Sequence, residues 1–335
     1  MRHYLNTHKR IKTLSDSPYV ILTLAVCLSC WITGYIYSIG FPLEENRVVL
    51  PLWGVLCNLL NYKPVAYITG FLVIVLCAFV IQRMSDREVL ISERTRLPFM
   101  LFILLVSTDP ELLSLRAITV VLLCIVFMVF ELFNSYQSPE STGKLFNAGV
   151  LLGSAVLLMP QIFLLVPVLW FGIYKFRCLN MKSFAASVTG ILIIYWFVIA
   201  WCVFINDFSI FTSLYLSITG FDIISLSSFQ PYHVGLVAVV ILLIMAYVYI
   251  KSDALSNSVR VRMMLSFLLN MAVWLVILIL LYSNETDLFF AVLCIPVSIL
   301  VAYFFENIRY RFRFGLYYFM LVLWCVSFIM RLWNF

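Results

Sequence analysis

Charge is the scarcest property of this sequence. Only 11% of its 335 residues are Asp, Glu, Lys or Arg, whereas 64% are hydrophobic, and the mean hydropathy is +1.06. Soluble domains average about 25% charged and about 45–50% apolar residues. Because the sequence also lacks a long stretch of mixed polarity, it excludes a sizeable water-exposed domain. It predicts a single all-α membrane domain over residues 1–335.

Metal-binding cysteine spacing, a basic cluster and a cleavable signal peptide are also missing. The nine cysteines mostly lie inside apolar runs, and Cys27 and Cys30 fall within one of them, so we expect small buried hydrophobic residues. The net charge of +6 is scattered over many short loops, which argues against nucleic-acid binding. The first apolar run, 18–40, is too long for a signal peptide and is expected to be a retained first span.

The apolar runs predict eleven membrane spans, with residues 1–17 as a cytoplasmic N-terminus. The spans are 18–40, 64–82, 97–107, 115–134, 145–159, 161–175, 184–206, 234–250, 263–283, 287–304 and 315–333. Of the 22 Lys and Arg residues, eighteen then face the cytoplasm, and the four that face outward are Arg47, Lys63, Arg116 and Arg331. This asymmetry follows the positive-inside rule and favours a multi-pass protein of a bacterial inner membrane.

A nine-span arrangement is the alternative. A straight crossing takes about 20 residues, and the runs 97–107, 145–159 and 161–175 are all shorter. If 97–107 does not cross and 145–175 is one kinked helix, the same charge asymmetry results. The sequence STDPE at 107–111 is typical of a helix end and restart, and it favours eleven spans.

Two segments are predicted to lie on the external face. Residues 41–63 form an external loop whose part 48–61 is too short to span and is expected to be an interfacial helix. Residues 207–233 contain neither Lys nor Arg and mix apolar with small polar residues, which is typical of a segment lying across the membrane surface. Short helices are tolerated where protein or a wet cavity surrounds them, so 97–175 is where we expect a cavity.

Two stretches resemble an uncharacterised family of bacterial integral-membrane proteins that is known only as a domain of unknown function. They are RTRLPFMLFILLVSTDPELLSL (94–115) and KLFNAGVLLGSAVLLMPQIFLLVPVLWFGIYKFRCL (144–179). The resemblance extends from about 83 to 191 and supplies no activity.

The layout also resembles the GT-C superfamily of polyprenyl-phosphate-dependent glycosyltransferases. These enzymes carry acidic residues just after the first span and again in the short external loop after the third. The resemblance implies that Glu44 and Glu45 occupy the first position and Asp109 the second. It further implies transfer of a sugar from a polyprenyl-phosphate donor at the external face.

Such a transfer needs a base, help for the leaving phosphate and room for a lipid tail. Glu44 or Glu45 is the candidate base, and Asp109 would orient the acceptor or share a divalent cation, Mg or Mn, with Glu45. We therefore expect a carboxylate of 44–45 within about 10 Å of Asp109. The candidate phosphate-binding groups are Arg47, Arg116 and His233.

A non-catalytic membrane subunit that docks partners of a bacterial envelope complex is the second hypothesis. Charges at helix ends are ordinary, and Glu44 with Arg47 would then be a solvated pair worth about 0–1 kcal/mol. The sequence names neither a sugar nor an acceptor, a partner or an oligomeric state.

Overall fold

A computed structural model describes most of the chain. The described residues are 17–39, 41, 53, 60, 62–91, 95–138, 141–206, 233–252, 258–308 and 310–333. Several predictions fall outside them. These are the cytoplasmic segment 1–16, the residues Glu44, Glu45 and Arg47, almost all of the predicted interfacial helix 48–61, and residues 207–232 of the second external segment.

The described part of the chain is all-α, as predicted. Its α-helices are α1 Ser17–Tyr37, α2 Lys63–Arg87, α3 Leu97–Ser107, α4 Ala117–Ser135, α5 Ser141–Leu158, α6 Val166–Lys175, α7 Met181–Ile205, α8 His233–Ser252, α9 Val259–Leu281, α10 Thr286–Asn307 and α11 Tyr310–Trp333. Short 3-10 helices cover Pro110–Leu113, Pro160–Leu165 and Ser283–Glu285. Each α-helix overlaps one of the eleven predicted apolar runs.

Nine helices among the described residues are long and apolar enough to cross a membrane. Two further apolar helices, Leu97–Ser107 and Pro160–Lys175, are shorter. The chain is therefore a multi-pass membrane protein with a polytopic helix bundle. Whether the two short helices also cross, which separates eleven spans from nine, stays a prediction.

Proline decides where several helices begin. α2, α3 and α6 each carry Pro in their first turn, where the missing N–H group costs nothing. Between α5 and α6, Met159 has extended backbone angles and Pro160 starts a 3-10 helix. Residues 145–175 are consequently two helices and not the single kinked helix of the nine-span alternative.

The helix ends meet in two layers at opposite ends of the bundle. In the first layer, Glu88 after α2 pairs with Arg260 at the start of α9, and the Cys178 thiol after α6 donates to the Ser135 carbonyl of α4 at 3.0 Å. The Tyr249 hydroxyl of α8 donates to the last carbonyl of α10 there, at 3.1 Å. We call this layer the basic end, because its described side chains include Arg83, Arg87, Arg96, Lys144, Lys175, Arg177, Lys182, Lys251, Arg260, Arg262 and Arg313.

The opposite layer holds few described cations: Lys63, Arg116 and Arg331. Here the Tyr67 hydroxyl of α2 donates to the Gly34 carbonyl of α1 at 3.0 Å, and the Leu115 N–H before α4 donates to the Ala66 carbonyl at 3.0 Å. Successive helices alternate between the two ends, and α3 and α6 follow the same alternation as their longer neighbours. We call this layer the cluster end, after the charged residues described below.

The centre of the bundle is formed by α3 and α10. α10 is buried from Leu288 to Phe305, and every residue of α3 except Phe99 is buried. A helix of 11 residues is too short to span a bilayer by itself. Complete enclosure by other helices explains why it is stable at this position.

Candidate functional site

Three charged side chains converge at the cluster end. Asp109 follows α3, Asp287 lies in the first turn of α10, and Arg331 lies in the last turn of α11. The Arg331 Nη1 atom is 2.7 Å from Asp109 Oδ2 and 3.9 Å from Asp287 Oδ1. We call Asp109, Asp287 and Arg331 the charged cluster.

The cluster is shielded from water on most sides. The side chain of Asp109 is 1% exposed and that of Arg331 is 7% exposed, whereas Asp287 is 28% exposed. The guanidinium of Arg331 also lies over the Phe290 ring, 5.3 Å from its centre. Charges buried this deeply in a membrane bundle are rare and mark either function or a structural ion pair.

Local structure places each member of the cluster. The Thr108 hydroxyl donates to the Leu105 carbonyl at 2.6 Å and ends α3, and the Asp109 carbonyl accepts from Leu112 N–H at 3.1 Å in the 3-10 turn that follows. Asp287 lies at a helix N-terminus and Arg331 at a helix C-terminus. Each therefore has the charge that its helix dipole favours.

Further polar groups surround the cluster. Gln161 Nε2 donates to Glu285 Oε1 at 3.4 Å, which joins the start of the second 3-10 helix to the start of α10. Trp31 Nε1 donates to Ser107 Oγ at 3.2 Å and joins α1 to the end of α3. The cluster end is thus tied to α1 and to the second 3-10 helix as well as to its own helices.

The predicted site residues are distributed unevenly over this geometry. Asp109 belongs to the charged cluster. Arg116 is the N-cap residue of α4 at the same end, and its N–H donates to the Thr119 hydroxyl at 3.1 Å. The backbone of His233 begins α8, but its side chain lies outside the described part of the structure, as do Glu44, Glu45 and Arg47. Their predicted roles stay predictions.

Two members of the cluster were missed by sequence reasoning. Arg331 was counted only as one of the outward cations, and Asp287 was not singled out. A usable signal was present, because an ionisable residue inside an apolar span is a functional hypothesis by default and implies a partner of opposite charge. Asp287 and Arg331 both meet that condition.

A metal site involving Glu45 and Asp109 was also predicted. Among the described residues, no group of three or more His, Cys, Asp or Glu side chains is arranged to hold a metal ion. Glu45 lies outside those residues, so the shared cation stays a prediction. Within the described part, the partner that Asp109 contacts is the guanidinium of Arg331.

The basic end contains a second carboxylate–arginine pair. The Glu88 side chain is 2% exposed, and it contacts Arg260, whose side chain is 48% exposed. The guanidinium of Arg260 lies over the Tyr136 ring at 5.4 Å. Burial raises the pKa of the Glu88 carboxyl, and the charge of Arg260 opposes this shift. This pair reaches water through its arginine.

Comparison with curated proteins and with solved structures found no match. One family matches residues 47–335, which extends well beyond the stretch on which the sequence resemblance rested. This finding supports the resemblance to an uncharacterised membrane family, and it does not show the resemblance to the GT-C superfamily. The chain belongs to DUF6427, a family of unknown function.

Proposed function

We propose that this protein is a multi-pass subunit of a bacterial inner membrane whose function is non-catalytic. The N-terminus would be cytoplasmic and the cluster end external, because the described cations concentrate at the opposite end. The bundle would act as a rigid membrane scaffold for partners in the cell envelope. The charged cluster would hold that scaffold together.

This proposal rests on the enclosed position of the Asp109 side chain. A carboxylate that takes a proton from a substrate must come within hydrogen-bond reach of it. Asp109 is instead almost fully buried, and its Oδ2 atom lies 2.7 Å from a guanidinium that is itself buried. This arrangement joins α3 to α11, and Asp287 adds α10. It is the arrangement expected of an internal ion-pair clamp.

The GT-C-like sugar transfer is the second candidate function, and one observation favours it. The end of α1 lies beside the Asp109 turn, since Trp31 bonds Ser107 and Tyr67 donates to the carbonyls of Gly34 and Ile39. The chain that leaves Ile39 leads to Glu44 and Glu45 within a few residues. The carboxylates of Glu44 and Glu45 would then lie near the same end of the bundle as Asp109.

A double-mutant experiment separates the two functions. Asp109→Asn and Arg331→Gln are made singly and together in the full chain. Removing one member of a buried ion pair costs about 3–5 kcal/mol, because the remaining charge is left uncompensated, whereas the double variant leaves neither charge of the pair behind. The readouts are the folded fraction in detergent and the growth of cells that depend on this protein.

If the cluster is a clamp, each single variant loses folded protein, and the double variant recovers both folding and growth. If Asp109 takes part in sugar transfer, the double variant folds but fails to support growth or to add sugar to the cell surface. Asp86→Asn is a matched control, because Asp86 is an exposed aspartate at the basic end. It should leave every readout unchanged.

A further inference from the structure

A cleft of about 520 Å³ lies at the basic end between the last turn of α6, the last turn of α8 and the first half of α9. Its size falls within the range of about 300–1,000 Å³ that is usual for small-molecule sites. The cleft is distinct from the charged cluster, which lies at the opposite end of the bundle. None of the proposed roles of Asp109 involves it.

Four cations line this cleft: Lys175, Arg177, Lys251 and Arg262. No carboxylate belongs to its described lining, and none of the four cations forms an ion pair with a described carboxylate. Like charges in one concave site raise the local positive potential and attract anions. Arg260, which also lies in the first turn of α9, differs because it is paired with Glu88.

The helix dipole explains the positions of two of these cations but not the positions of the other two. Lys175 and Lys251 lie in the last turns of α6 and α8, where a positive charge is favourable. Arg262 lies in the first turn of α9, where the partial positive charge of the helix N-terminus disfavours a cation. An anion in the cleft would compensate for this unfavourable placement.

Arg177 is brought to the cleft by a special backbone conformation. Its φ of 57° lies in the left-handed region, which residues other than glycine rarely adopt. The turn is stabilised by bonds from Arg177 N–H to the Tyr174 carbonyl and from Cys178 N–H to the Ile173 carbonyl, both at 3.1 Å. This turn ends α6 and keeps Arg177 on the same cleft as Lys175.

The floor of the cleft is apolar. Ile250, Leu265 and Leu269 line it and are buried, while Arg177, Lys251 and Arg262 are exposed. A charged rim above an apolar floor matches a molecule that has a phosphate group and a hydrocarbon chain. A soluble anion would not use the apolar part of the site.

We propose that this cleft binds the phosphate group of an anionic membrane phospholipid. Arg and Lys side chains bind phosphate through charge-assisted hydrogen bonds, with Arg able to donate two in parallel. With the basic end in the cytoplasm, the cleft faces the leaflet surface whose anionic lipids attract basic residues. Basic pockets between membrane helices on that side are typical sites for lipid head groups.

Native mass spectrometry of the purified full chain in neutral detergent tests this proposal. The chain is titrated with phosphatidylglycerol, with zwitterionic phosphatidylcholine, and with phosphatidylglycerol in the presence of millimolar inorganic phosphate. The test variant is Lys251→Gln/Arg262→Gln. The control is Arg83→Gln/Lys182→Gln, which removes the same charge and residue types from exposed positions at the basic end outside the cleft lining.

We expect the native chain to bind phosphatidylglycerol more tightly than phosphatidylcholine. The test variant should bind phosphatidylglycerol about thirtyfold more weakly, the factor for two cations that each contribute about 1 kcal/mol near a lipid phosphate. The control variant should bind like the native chain. Inorganic phosphate should not displace the lipid.

Equal weakening in the test and control variants would show a general charge effect and overturn the proposal. Displacement by inorganic phosphate would assign the cleft to a soluble phosphate instead, and equal binding of the two lipids would exclude charge recognition. The charge-preserving variant Lys251→Arg/Arg262→Lys should retain most of the binding. Thermal unfolding midpoints of all variants, measured without added lipid, show whether a loss of binding reflects a loss of fold.

Discussion

The two ends of the bundle each bury a carboxylate against an arginine, but they expose the pair to water differently. At the cluster end both side chains are enclosed, with Asp109 1% and Arg331 7% exposed. At the basic end Glu88 is 2% exposed, but the side chain of Arg260 is 48% exposed. Water therefore screens one partner of the Glu88 pair and neither principal partner of the Asp109 pair. Similar residue pairs therefore contribute differently to stability, according to which partner reaches solvent.

The largest expected effect concerns whether the two ends lie on opposite sides of the membrane. Single cysteines at Gln137 and Glu111, in a chain without native cysteines, are labelled with a membrane-impermeant reagent. The eleven-span arrangement predicts an all-or-none result, with position 137 labelled only from the cytoplasm and position 111 only from outside. Labelling in the reverse sense would favour nine spans.

The Asp109–Arg331 contact supports the eleven-span prediction that this experiment tests. Arg331 is external in both arrangements, whereas the nine-span arrangement puts the turn at Asp109 in the cytoplasm. Because the two side chains are 2.7 Å apart, the contact favours the arrangement that puts them on the same side of the membrane.

The next effect compares the same substitution at the two ends. Arg331→Gln should lower the free energy of unfolding by about 3–5 kcal/mol, because it leaves Asp109 buried without its guanidinium. Arg260→Gln should cost less, because half of the Arg260 side chain is already solvated and the space that it leaves admits water to the Glu88 carboxylate. Denaturant unfolding in detergent measures both. Equal losses would remove the distinction between the two pairs.

A smaller effect tests how tightly the cluster end is packed. A Cβ atom on Gly70 would lie 2.8 Å from backbone atoms of Ser114 and Leu115, which cannot move aside as a flexible side chain can. Gly70→Ala should destabilise the protein by about 1–3 kcal/mol. The matched control is Gly143→Ala in α5 at the basic end, where a Cβ atom meets nothing within 4 Å.

The control should be neutral or stabilising by up to about 1 kcal/mol, since alanine is the better helix former. Thermal unfolding of the two variants side by side provides the measurement. A neutral Gly70→Ala would mean that the Asp109 turn moves easily.

The smallest effect is a pH dependence at the basic end. Burial raises the pKa of Glu88 above its ordinary value of 4.5, and Arg260 offsets only part of the shift. A carboxyl with a raised folded pKa contributes stability that is fully present below the unfolded pKa and is lost as pH rises through the folded pKa. The Glu88→Gln variant should therefore lose less stability than the native chain as the pH rises from 4.5 to neutrality. An unchanged pH slope in thermal unfolding would contradict this assignment.

The positions of the helices could be predicted from the sequence, but which helices pack against each other could not. Apolar runs located every described α-helix. Hydropathy did not show which helix is central. Ser283–Asn307 and Met181–Ile205 have nearly equal mean hydropathy, 2.6 and 2.5, but an 18-residue stretch of the first is wholly buried, whereas the second is mostly exposed. Lipid and protein interior are both apolar, so the same residues suit either environment.

The candidate site was likewise only partly predictable. Asp109 was recognised through the resemblance to the GT-C layout, which has an acidic residue in the short loop after the third span, and this is a local pattern. Its partner Arg331 lies on α11, and the contact depends on how α3, α10 and α11 pack. No spacing in the sequence encodes that packing. The carboxylates at Glu44 and Glu45 stay predictions, since they lie outside the described residues.

The shortness of α3 has a consequence for how the protein is made. Eleven apolar residues are too few to partition stably into a bilayer alone, so α3 depends on helices that enclose it. One of these is α10, which a ribosome synthesises only after α4 to α9 have been synthesised. During translation α3 must therefore first occupy a temporary position. It reaches its final position in the bundle late in biogenesis. Membrane insertion and final assembly are separated in time for this helix.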